Sequence, residues 1–96
     1  MAIVLAAKDP DETLSYRVDF AARLGTGDAL ATKAVSLAVE AGATLGVSDI
    51  DDTGVDFFLS GGTLNSEAAV LVRVTTDLGL TLDEVGLIKI RTRGDD

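Results

Sequence analysis

Apolar and polar residues alternate with a period of two through most of this chain. Leu14, Tyr16, Val18 and Phe20 are separated by Ser15, Arg17 and Asp19, the pattern of a strand with one buried and one wet face. Val35, Leu37 and Val39 alternate with Ser36, Ala38 and Glu40, and Leu45 and Val47 mark a short third strand. Val55, Phe57 and Leu59 alternate with Asp56, Phe58 and Ser60, and Gly61-Gly62 ends that run. Val70, Val72 and Val74 alternate with Leu71, Arg73 and Thr75 in a β-branched segment. Leu80-Thr81-Leu82 and Leu87-Ile88-Lys89-Ile90-Arg91 close the chain. Six to seven short strands, with a turn signal about every ten residues, predict an all-β chain folded as an immunoglobulin-like β-sandwich. The predicted core comprises Tyr16, Val18, Phe20, Val35, Leu37, Phe57, Leu59, Val70, Val72, Val74, Ile88 and Ile90. A one-residue slip in any strand would turn its whole apolar set outward.

Two stretches carry competing signals. Asp28 to Ala34 is alanine-rich and opens on an aspartate suited to an N-cap, and Gly42 is suited to end a helix. A helix over 28–42 therefore competes with the strand through Val35 and Leu37. Asn65-Ser66-Glu67-Ala68-Ala69 likewise competes between a helical turn and the start of a strand. Strand is the preferred reading of both. Asp9-Pro10-Asp11-Glu12 reads as a turn, because proline disfavours helix at the residue before it. Neither a repeat nor a linker divides the chain, so one domain is expected over residues 1–96. Residues 94–96 are expected to be a frayed tail. Residues 1–8 are expected either as the first strand or as an N-terminal arm.

Composition narrows the chemistry. Sixteen acidic and eight basic residues give a formal net charge of −8. That argues against nucleic acid and against anionic membrane as partners. The chain has neither cysteine nor histidine, so disulfides and thiolate metal sites are excluded. The commonest general base and zinc ligand are missing as well. No apolar run approaches the roughly 20 residues of a membrane-spanning helix.

The remaining polar clusters offer little chemistry. Asp49, Asp51 and Asp52 before Gly54 resemble the opening of a calcium loop. The required bidentate glutamate is replaced by Ser60 at the twelfth position, so an acidic turn between strands is expected instead. Asp9, Asp11 and Glu12, and Asp83-Glu84, are read as solvated turns rather than a glycosidase pair. Ser60-Gly61-Gly62-Thr63 lacks the lysine of a phosphate loop and is read as a turn needing positive φ. No catalytic residue, metal site, cofactor or small-molecule substrate is expected.

The residues do suggest a family. Lys8-Asp9-Pro10-Asp11-Glu12, then Leu14-Ser15-Tyr16-Arg17-Val18-Asp19-Phe20 and Ala22-Arg23-Leu24-Gly25, resemble small structural proteins of tailed bacteriophages, of the fiber-tail adaptor or head-tail module type. The order continues with an aromatic strand closed by Leu59-Ser60-Gly61-Gly62-Thr63. A strand ending in Thr75-Thr76 and the final Ile88-Lys89-Ile90-Arg91 follow. The resemblance runs roughly from Lys8 to Arg93 and is weakest over Ala29 to Asp52. Phe20 stands where the family commonly has tryptophan, and Ser15 where it commonly has aspartate. The resemblance implies a non-enzymatic protein of the virion tail or neck, made in the host cytoplasm. Its implied partners are other virion proteins and copies of itself. The alternative is a free-standing β-sandwich that binds carbohydrate or protein, of which carbohydrate is disfavoured by having one outward aromatic, Phe58.

Five residues are candidate partner contacts. Phe58 must face outward if Phe57 faces inward. Arg17 and Arg73 lie on the polar faces of their strands, where they either pair with cross-strand acids or read an acidic partner. Ile3 and Leu5 belong to the apolar N-terminal segment. That segment is either the first strand of its own sheet or an arm adding to a neighbour's sheet.

Overall fold

The alternation is realised as seven strands: β1 Ala2–Val4, β2 Thr13–Asp19, β3 Leu30–Val39, β4 Ala43–Ile50, β5 Gly54–Gly61, β6 Ser66–Thr76 and β7 Thr81–Ile90. A 3₁₀ turn spans Ala21–Arg23. The computed structural model describes residues 2–91, so the expected frayed tail 94–96 lies outside the described residues. Both ambiguous stretches are strand: β3 occupies the alanine-rich segment, and β6 begins at Ser66.

The strands form two sheets, a four-stranded one in the order β1-β7-β6-β3 and a three-stranded one in the order β2-β5-β4. The all-β sandwich expected from the sequence is therefore present. Its strand order follows the seven-stranded immunoglobulin plan, except that β1 pairs parallel with the last strand instead of extending the other sheet.

Side chains from both inner faces interdigitate. Val18, Phe20, Val55, Phe57, Leu59, Val70, Val72, Val74, Ile88 and Ile90 are essentially inaccessible to solvent. Tyr16 stacks on its cross-strand partner Phe57 at 5.7 Å between ring centroids. Val35 and Leu37 pack partly buried against this core. The third strand departs from the expected alternation. β4 carries a bulge between Leu45 and Ser48, so Leu45 packs against the core while Val47 is 71% exposed. The extra residue reverses the inward and outward assignment on either side of it.

Both ends are stitched by loops. At one end Phe20 N donates to Thr53 O, Leu30 N to Asp52 O and Asp77 N to Ala29 O, joining the β2–β3, β4–β5 and β6–β7 connections. At the other end the Ser60-Gly61-Gly62-Thr63 turn crosses between sheets with φ of 70° at Gly61 and 120° at Gly62, as its glycines predict. Lys8 is fully buried there, and its Nζ donates to Asp9 O at 2.7 Å and Gly61 O at 2.6 Å. Desolvation pushes its pKa below the ordinary lysine value, against the raising influence of Glu12, Asp9 and Asp11.

Candidate docking surfaces

The outer face of the three-stranded sheet carries Phe58. Its neighbour Phe57 is fully buried, and Phe58 is 45% exposed, as strand alternation requires. Small residues surround it: Ser15 is its partner on β2, and its Cβ approaches the backbone of Gly46 on β4. Val47 of the bulge is exposed beside it. An aromatic ring raised above small neighbours and flanked by a second apolar side chain suits contact with another protein surface.

Arg17 lies on the same face and is engaged within the chain. Its Nη1 donates to Asp51 Oδ2 at 2.8 Å, and its Nη2 to Asp51 Oδ1 at 3.0 Å. Nη1 also reaches Asp56 Oδ2 at 3.2 Å. The guanidinium occupies the space where a Cβ on Gly54 would stand, 2.5 Å from its Cζ, so a side chain at Gly54 would displace it from Asp51. The hydrogen bond from Arg17, together with those from the backbone N–H groups of Thr53 and Gly54, holds the Asp51 carboxyl well below the usual carboxylate range. The same bond to Asp51 raises the Arg17 pKa above the ordinary arginine value. The aspartates that resembled a calcium loop thus form an Asx-type turn capped by arginine.

Arg73 lies on the outer face of the other sheet. It forms a two-pronged pair with its cross-strand partner Asp83, at 2.7 Å from Nε and 2.9 Å from Nη2. The hydrogen bond lowers the Asp83 pKa and raises that of Arg73.

Ile3 and Leu5 belong to the segment that was open between strand and arm. Here β1 pairs with β7, and Leu5 N donates to Leu87 O at 2.8 Å. Leu5 packs against the core in the space left by Gly86, whose Cβ would lie 2.7 Å from Leu5 Cδ1. Tyr16 Oη donates to Ala6 O at 2.9 Å and ties the segment to the opposite sheet. The arm that would carry Ile3 and Leu5 to a neighbour is thus paired within its own chain.

Two features were not foreseen from the residues alone. Glu84, read as part of a solvated turn, is only 6% exposed and faces Arg23 at 3.4 Å, while Arg23 Nη1 donates to Asp83 O and its guanidinium lies over the Phe20 ring. Leu78 and Leu80 stand exposed on the β6–β7 turn, where Asp28 Oδ1 accepts from Leu78 N. The inward phase of residues 84, 86, 88 and 90 along β7 was the available signal for Glu84. No group of acidic residues capable of holding a metal ion is present among the described residues.

No curated protein matches this chain. A family model does: that of the podophage GP4 fiber-tail adaptor protein gp77, over residues 8–89. The matched span opens on the buried Lys8 and closes one residue before the end of β7, so it takes in the Asp9-Pro10 turn, the Arg17 network, the Arg23–Glu84 pair and every strand except β1. With the match running across nearly the whole sandwich, this chain belongs to the podophage GP4 fiber-tail adaptor family.

Proposed function

We propose that this protein is a non-enzymatic component of a phage tail that joins fiber to tail or neck proteins and is present in several copies. The observation that carries this reading is the family match over residues 8–89. The geometry supports it. The sandwich is braced at both ends by hydrogen-bonded loops and offers outward apolar groups on a rigid frame. Rigid presentation limits the ordering entropy lost on docking. Phe58, with Arg17 beside it, is the proposed contact with a second virion protein. Arg73 and the apolar residues near it are the proposed contact on the opposite face. Repetition about a symmetry axis would multiply a weak contact of this size into firm attachment. The protein would be made in the host cytoplasm and carried in the finished particle.

Mass spectrometry of purified virions from the source phage tests the reading. The chain is expected in the particle, in a fixed ratio to tail and fiber proteins. Its absence from mature virions overturns the proposal.

A further inference from the structure

The register of the four-stranded sheet arranges a second apolar surface on its solvent side. Along β6, Val70 and Val72 enter the core, so Glu67, Leu71 and Arg73 project outward, with Ala69 on the same side but only 7% exposed, a low point of the face. Their partners on β7 are Lys89, Leu87, Val85 and Asp83. The result is a ladder with oppositely charged residues in register at its ends, Glu67 opposite Lys89 and the ion-paired Arg73 and Asp83, and apolar rungs between them. The apolar part widens sideways, because Val4 pairs with Leu87 and Val39 with Ala69. One apolar row therefore crosses all four strands. Val4 is 78% and Val39 53% exposed, and neither packs against the interior core. Central strands that are apolar on both faces match the pattern of a sheet covered on both sides. The three-stranded sheet covers only the inner one.

We propose that this outer face packs against the same face of a second copy of the chain, an inference that rests on the reading that the adaptor associates with itself. The ladder is self-complementary. A twofold axis lying between the two sheets and running across the strands reverses the order of the rungs. Glu67 then faces Arg73 of the second copy, and Asp83 faces Lys89. Leu71 falls opposite Ala69, large against small, so that the two layers interdigitate as stacked sheets do. A contact of this kind is isologous and closes as a dimer. Charge points to the same occupant. The face holds two acids and two bases at the register positions named, whereas the whole chain carries −8. Elsewhere two copies repel, and here they do not.

Analytical ultracentrifugation of the full chain tests this, with Leu71→Glu as the disrupting variant and Leu78→Ser, on the exposed β6–β7 turn, as the control. The wild type and Leu78→Ser are expected to dimerise with the same Kd. Leu71→Glu is expected to raise that Kd at least about a hundredfold, since it buries an uncompensated charge in the contact. Its position is outward, so the monomer keeps its circular dichroism spectrum. In dimers of isotope-labelled and unlabelled chains, intermolecular NOEs are expected between the methyl groups of Leu71 and Ala69. A wild type that stays monomeric at millimolar concentration overturns the proposal together with self-association. A dimer that survives Leu71→Glu, or whose intermolecular NOEs leave out Leu71 and Ala69, overturns this face while self-association stands. Neither result bears on presence in the virion, which proteomics reads separately.

Discussion

Lys8 Nζ donates to Gly61 O across 2.6 Å inside a site that excludes solvent, joining the residue before the Asp9-Pro10 turn to the last residue of β5. The bond spans 53 positions of sequence and ties the two sheets together at one end. Lys8 N and O also pair with Lys89 O and Arg91 N, so the same residue is held by β7 and the chain just beyond it.

Lys8→Met keeps most of the aliphatic stem but leaves the Gly61 and Asp9 carbonyls without their donor. It is expected to destabilise the fold by about 1–3 kcal/mol in urea denaturation, and Lys8→Ala by more, because a cavity is added. The pH dependence follows from the sign of the shift. The folded-state pKa lies below the ordinary 10.5, so the unfolded chain binds more protons between the two values. Stability therefore rises with pH across that window, and Lys8→Met should abolish the rise.

Asp51 has the opposite consequence in acid. Its folded-state pKa is far below the ordinary 3.8, chiefly through Arg17. The stability it contributes is fully present above 3.8 and is lost as pH falls below that value. Asp51→Asn should flatten the acid limb of a stability–pH profile, and Arg17→Ala should weaken the same limb. An unchanged limb in both variants would show that the pair does not act in acid.

Deleting residues 2–7 removes β1, the packing of Leu5 over Gly86 and the acceptor of the Tyr16 hydroxyl. A stability loss of at least about 2 kcal/mol is expected. Gly86→Val should reproduce part of it, about 1–3 kcal/mol, by pushing Leu5 out of its place. A truncated chain that melts like the full one would identify the segment as an arm after all.

Phe57 and Phe58 are adjacent and should behave oppositely. Phe57→Ala opens a cavity in the core and is expected to cost about 3–5 kcal/mol. Phe58→Ser should change stability by no more than about 0.5 kcal/mol while reducing incorporation of the protein into virions. Equal incorporation of Phe58→Ser and wild type would remove Phe58 from the contact.

Much of the fold was legible in the chain because inward and outward placement is a local property of a strand. The alternation at Tyr16, Val18 and Phe20, and at Val70, Val72 and Val74, assigned those residues to the core without knowledge of any partner. The Asp9-Pro10 and Gly61-Gly62 turns followed from backbone sterics, which are equally local. The order of motifs from Lys8 onward also carried the family. Pairing is different, since it depends on residues far apart in sequence. Only the tertiary structure decided that β1 joins β7, that the bulge at Gly46-Val47 turns Val47 outward, and that Lys8 and Glu84 lie inside. The outer ladder of the four-stranded sheet belongs to the same class. Leu71, Val85, Leu87, Val4 and Val39 come from four separate strands, and no one segment shows that they share a face. Hydrogen-bonded register sets them on one face, because cross-strand neighbours share a face whatever their distance along the chain.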